Sequence, residues 1–207
     1  MRYIICPECG LNPINPDKEQ MCTICAAKLA PIKHGKTVVS NSIKAPVRYN
    51  GKALFFVFQG AEYQTEFREK FICAPYEGKD GFVPHHWQRL EYVRKGDVIF
   101  HGVGGYILAI SVAKDRFYDA TRYGEKTRKI DCKYCLLKTS LRLEDYKEEI
   151  IEYCAKYEHQ PFNKNGTGNQ GYLFDLCKEL AKLFAEEITK KNRYLESEEF
   201  IKDILGL

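Results

Sequence analysis

The stretch FVPHHWQRLEYVRKGDVIFHGVGGYILAIS, residues 82–111, decides the reading of this chain. It carries the single tryptophan, Trp87, directly behind His85 and His86, and then runs into two apolar segments hinged on glycines. Gly96 and Asp97 turn the chain into an apolar, β-branched run, and after the glycine cluster at 102–105 the segment GYILAISVA follows as its antiparallel hairpin partner. HHWQRLEY has room for one short helix. A lone tryptophan at such a turn has three uses: a core plug, a neighbour of a metal site, or the wall of a pocket for something flat and aromatic.

Upstream, ALFFVFQG (53–60) is a continuous apolar run with the content of a buried strand. AEYQTEFREKFICAP (61–75) spaces Tyr63, Phe67 and Phe71 four apart, which predicts one aromatic helical face ending at Pro75. Downstream, RKIDCKYCLLKT (128–139) reads as a further strand. Cys132 and Cys135 then point to opposite faces and are buried thiols rather than metal ligands. The C-terminal third is helical in pattern: LEDYKEEIIEYCAKYE (143–158) and GYLFDLCKELAKLFAEEI (171–188) carry apolar residues at helical intervals, with Leu173, Leu176, Leu180, Leu183 and Phe184 on one face. Cys154 and Cys177 fall within those apolar faces. Between the two helices, PFNKNGTGNQG (161–171) matches neither the Walker spacing nor GxGxxG. A capped loop is its plain reading, and backbone amides or Lys164 meeting a phosphate the functional one.

The N-terminus holds the most specific motif. CPEC at Cys6 and Cys9 and CTIC at Cys22 and Cys25 are separated by twelve residues, a spacing that sets four thiolates at the corners of a tetrahedron. Four sulfur ligands leave no position for water, so the expected cofactor is a structural zinc ion in a ribbon of about thirty residues that could not otherwise build a core. The segment at 36–51 reads as a linker with at most a short strand. Nine cysteines without an export signal, and no apolar run near the length of a membrane span, predict a cytoplasmic protein with no membrane partner.

Hydrophobic residues at 44% and charged residues at 29% exclude a disordered or fibrous chain. The net charge of +4 is unevenly spread: residues 114–142 hold nine basic side chains against four acidic ones, an excess suited to a polyanion. Arg122, Lys126, Arg128 and Lys129 are the expected phosphate contacts there; the alternative is a solvated strand face.

In this order, FFVFQGAEY, HHWQRLEYVRKGDVIFHGVGGYILAISVA and RKIDCKYCLLKTSL resemble the EVE-type members of the PUA superfamily, relatives of YTH domains. PFNKNGTGNQGYLFDLCKELA resembles the tail that follows this module in modification-dependent restriction systems. The resemblance covers roughly residues 52 to 190. It implies an α+β fold: a small, curved β-barrel flanked by helices, behind a zinc ribbon and ahead of a helical extension. The expected organisation is 1–35 ribbon, 36–51 linker, 52–142 base-reading domain and 143–207 helical extension. It further implies a non-catalytic reader of double-stranded DNA that accepts one flipped, modified base, commonly a methylated cytosine or adenine, while a nuclease or NTPase partner acts.

A flipped base loses its stacking neighbours, and a pocket must replace them with aromatic faces and satisfy the base's edge. Trp87 offers the largest face. Tyr63 and Phe58 are the expected flanking surfaces, Gln59 the edge reader, and His86 and His101 rim contacts. Where relatives often have an aromatic before Ala-Pro, this chain has Cys73, so Tyr76 is the candidate second wall. Each has a plainer use: Phe58 and the 63, 67, 71 stripe as core packing, Trp87 as a core plug. The competing function is an RNA-binding module of the same superfamily acting on tRNA or rRNA. A base-modifying enzyme lacks its signature, since no HxE with a downstream PCxxC is present.

Overall fold

The structure, a computed structural model, describes residues 43–60, 62–78 and 81–207, together with the backbone at 4–5 and 13–14. It divides into two compact units, Met1–Ser42 and Ile43–Leu207. In the first, β1 (Ile4–Ile5) pairs antiparallel with β2 (Pro13–Ile14). Cys6, Cys9, Cys22 and Cys25, the expected zinc ligands, lie outside the described residues.

The second unit is α+β, a curled half-barrel sheet with several helices. Its strands are β3 (Arg48–Tyr49), β4 (Lys52–Phe58), β5 (Phe71–Pro75), β6 (Val98–Val103), β7 (Tyr106–Ala113), β8 (Tyr118–Arg122), β9 (Glu125–Arg142) and β10 (Leu173–Asp175). They run in the order β10-β4-β6-β7-β9-β5, with β3 added on β4 and β8 on β9. The β4–β6 pair is parallel and the other pairs are antiparallel. The curl comes from β9. Its first half pairs with β5 and β8 and its second half with β7, while bulges at His101/Gly102 and Ile107/Ala109 bend the neighbouring strands.

Strand alternation sorts β4 into two cores. Ala53, Phe55 and Val57 face the concave interior with Ile72, Ala74, Ile99, Ala113, Ile130 and Cys132. Leu54 and Phe56 face the opposite way, in one cluster with Ile150 of the helix α3 (Lys147–Cys154) and Leu180, Phe184 and Ile188 of the helix α4 (Lys178–Lys191). Cys132 is interior and Cys135 packs on the helical side, as their strand spacing predicts. Gly102 sits where a Cβ would overlap the Phe56 ring, so only glycine fits this point of the hairpin.

Three expectations change. The helix over 61–75 is confined to α1 (Tyr63–Glu69), because Lys70 takes a left-handed conformation (φ 60°) and turns the chain into β5. Phe71 is therefore a strand residue paired with Asp131, and its spacing from Phe67 is coincidental to the helix. The 161–171 loop enters β10 rather than a helix, and α4 starts only at Lys178, so no helix N-terminus follows that loop directly.

The third concerns the expected linker at 36–51. Within it, Arg48 anchors the barrel: its guanidinium grips the fully buried Asp97 through both carboxylate oxygens at 2.8 and 3.1 Å. Asp97 also accepts the amides of Ala53 and Arg94 at 2.9 and 2.7 Å. This is why a Gly-Asp turn opens β6: the aspartate ties three segments together before the strand begins.

Candidate functional site: the polar mouth of the half-barrel

The concave core is apolar at one end and polar at the other. Continuing the alternation of β4, β6 and β7 places Gln59, His101 and Ser111 on the interior face, all buried. His101 Nδ1 donates to Gln59 Oε1 at 2.8 Å, and its Nε2 accepts the Ser111 hydroxyl at 2.7 Å. This tautomer follows from the amide, whose nitrogen is committed to Glu66. Full burial pushes the imidazole down to about 3, so the ring is neutral. A serine, imidazole and amide in series is the order of a nucleophilic triad. Ser111 and His101 are both fully buried, however, so this hydroxyl has no open approach.

From Gln59 the network climbs toward the surface. Glu66, on α1 and buried, accepts the Tyr172 hydroxyl at 2.7 Å, and that hydroxyl in turn accepts the Cys73 amide at 3.1 Å. Tyr172 thus ties the segment before β10 to β5 across the open side of the half-barrel. Burial raises the Glu66 carboxyl, opposed by its bonds to Tyr172 and Gln59 and by Arg122. Arg122 Nη1 lies 3.2 Å from Cys73 Sγ and 3.8 Å from Glu66 Oε1, and its Nη2 reaches Glu62 at 2.5 Å.

Aromatic rings line the same end. Tyr134 packs 4.3 Å from the His101 ring, Phe67 meets Tyr134 edge-on at 5.7 Å, and Tyr63 stacks on Phe67 at 5.9 Å. The Tyr63 hydroxyl, at the outer end of this column, is buried without a hydrogen-bond partner among the described residues. Trp87, in α2 (His85–Gln88), is half-buried against the interior core together with Tyr134 and Tyr172. His86 accepts the Tyr172 amide on Nδ1 at 3.0 Å, and burial pushes its pKa down to about 4.

The expected site residues therefore separate. Gln59, His101, Tyr63, Trp87 and, through Tyr172, His86 belong to the interior end. Gln59 and His101 form its buried floor rather than a rim. Phe58 falls on the opposite face, where it packs on Phe56, Phe162 and Phe174, because its even position in β4 turns it outward. Tyr76 stands apart on the sheet end, bonded to Asp119 and stacked 3.9 Å beneath the Arg128 guanidinium.

Among the expected phosphate contacts, Arg128 is 4% exposed and spent on Glu91 (2.7 Å) and on the Pro75 and Tyr76 carbonyls. Arg122 is held by Glu62 and Glu66, and Lys126 pairs with Asp119 at 2.8 Å. Lys129 lies over Phe71 at 4.2 Å and makes no ion pair among the described residues, and Lys164 is exposed in its loop. Glu66, Tyr134 and Tyr172 went unnoticed from sequence. A glutamate inside an aromatic-rich helix is the one signal that pointed there. Among the described residues no cluster of histidine, cysteine or carboxylate side chains is arranged to hold a metal. No helix among them is long and apolar enough to cross a membrane.

The chain matches no protein-family model, and no curated protein matches it. Among solved structures it is similar to the NMR structure of Rpa0253 from Rhodopseudomonas palustris, a structural-genomics target, at 17% identity and a TM-score of 0.42. The match covers 68% of this chain and 94% of that one.

Proposed function

We propose that this chain is a non-catalytic reader of a modified base in double-stranded DNA. A flipped methylated cytosine or adenine enters the mouth of the half-barrel between Trp87 and the Tyr63–Phe67 pair. The observation that carries this is the polar floor Ser111–His101–Gln59–Glu66 beside an aromatic column whose Tyr63 hydroxyl is buried with no hydrogen-bond partner among the described residues. Buried polar groups are nearly always satisfied, so an orphan at the mouth of an aromatic cleft is the group a ligand completes. Stacking replaces what the base loses on leaving the duplex, at about 1–3 kcal/mol for each aromatic face.

The EVE-like assignment of the fold, the zinc ribbon built on Cys6, Cys9, Cys22 and Cys25, and a nuclease or NTPase partner in a restriction or defence system belong to the same reading. They rest on the sequence resemblance and on cysteine spacing. Of the expected phosphate contacts, Lys129 and Lys164 make no ion pair among the described residues and are the candidates to meet phosphates.

The test is binding of the whole chain to matched duplexes containing 5-methylcytosine, N6-methyladenine or neither, and to an RNA stem of the same sequence. Preference for one methylated duplex, reduced at least about tenfold in Trp87→Ala with the fold intact by circular dichroism, is the expected result. Equal affinity for all duplexes overturns it, and preference for the RNA stem replaces it with an RNA-binding role.

A further inference from the structure

The hairpin β8–β9 ends in a turn that its sequence does not favour. Tyr123 and Gly124 occupy the two central positions, with φ of 52° and 78°, and such a turn is best served by Asn-Gly. A bulky aromatic in the left-handed region is disfavoured relative to extended backbone, because its Cβ crowds the following carbonyl. Tyr123 is also 79% exposed, the most exposed large hydrophobic side chain among the described residues. Fold stability explains neither the residue nor its exposure.

Its surroundings are built. The Arg122 guanidinium lies over the ring at 5.1 Å, and the Tyr123 hydroxyl donates to Glu62 Oε2 at 3.1 Å, so the exposed ring is held in one place at the hairpin tip by two contacts it must give up to enter a duplex. Those same two residues lead into the mouth: Arg122 reaches Glu66, and Glu66 reaches Gln59 and Tyr172. The exposed ring is thus two side chains from the polar floor. Lys129, on β9, lies over the Phe71 ring, makes no ion pair among the described residues and is the cation offered to a backbone phosphate.

We infer that Tyr123 is the wedge that enters the base stack and fills the gap left when a base swings into the half-barrel, an inference that rests on the base-reading function proposed above. A duplex loses stacking on both sides of an extruded base, and an inserted ring recovers part of that loss. The ring is flat, rigid and one hairpin away from the mouth, which is what the geometry of extrusion asks for. The local backbone cost is the sign that this side chain is kept for its contact and not for the turn.

Tyr123→Asn tests this, because asparagine suits the turn and so separates folding from contact. The probes are a methylated duplex with 2-aminopurine beside the target base, and the same duplex with an abasic site opposite the target, where the base is already unpaired. Tyr123→Asn is expected to melt at or above the wild-type temperature, to bind the paired duplex about tenfold more weakly with a smaller 2-aminopurine signal, and to bind the abasic duplex as wild type does. Tyr123→Phe should retain the wild-type behaviour on both. Equal affinity of Tyr123→Asn and wild type for the paired duplex, or equal weakening on both duplexes, overturns the wedge while leaving base reading in place. A wild type that shows no preference for the methylated duplex removes base reading and the wedge together.

Discussion

Nδ1 of His101 lies 2.8 Å from Oε1 of Gln59, and both residues are buried. The pair is a neutral hydrogen bond at the bottom of a polar well, and its neutrality is a condition of folding. The unfolded chain takes up a proton on this histidine near pH 6.5, whereas the folded protein resists protonation down to about 3. Stability from this group is therefore complete above pH 6.5 and lost as the pH falls below it.

Urea unfolding should accordingly show a loss of stability between pH 7 and pH 5 that His101→Asn shrinks by about 2 kcal/mol, the part that remains coming from the lowered His86 and His85, even though that variant is less stable throughout. A slope that is unchanged in His101→Asn would take His101 out of the titration and leave His86 and His85 to account for it.

Arg128 and Lys129 are neighbours in sequence and opposites in use. Arg128→Ala strands Glu91 and two carbonyls and should cost about 2–3 kcal/mol of stability while leaving the salt dependence of DNA binding unchanged. Lys129→Ala should leave the melting temperature alone and lower the salt slope by about one charge. Reversal of the two phenotypes would mean that Arg128 leaves its buried partners on binding.

Strand alternation explains what was legible and what was not. The β6–β7 hairpin and the buried strand β4 follow from glycine positions and apolar runs, and the opposed Cys132 and Cys135 follow from a period of two. Phe58 stays open between pocket wall and core packing in the sequence because register cannot be read from one strand alone, and the structure gives it the core role. The basic run hid β8 and the two ends of β9, whose outward faces are polar: a half-exposed strand looks like a charged loop until its partner is known. Arg128 illustrates the same limit, since nothing local distinguishes a buried arginine paired with Glu91 from a solvated one.

Metal content tests the four-cysteine spacing directly. The purified chain should hold about one zinc ion, and Cys6→Ser or Cys22→Ser should release it and sensitise the N-terminal unit to protease. Two equivalents of tightly held zinc would require Cys132 and Cys135 as ligands, against their placement on opposite faces of β9.

The Tyr63 hydroxyl separates a binding role from a structural one by the sign of its effect. A buried hydroxyl without a partner is a cost in the free protein, so Tyr63→Phe should leave stability unchanged or raise it by about 1 kcal/mol, the reverse of what deleting a bonded tyrosine hydroxyl does. Its ring stacks on Phe67, and phenylalanine keeps that contact. If the hydroxyl completes its hydrogen bonding on a flipped base, the same variant should bind the preferred methylated duplex about five- to tenfold more weakly and bind unmodified duplex as before. Thermal melting and anisotropy titrations on the one variant decide the matter. A drop in stability would show that the hydroxyl is already satisfied in the free protein, and unchanged affinity with raised stability would leave the orphan as a tolerated defect of packing rather than a ligand contact.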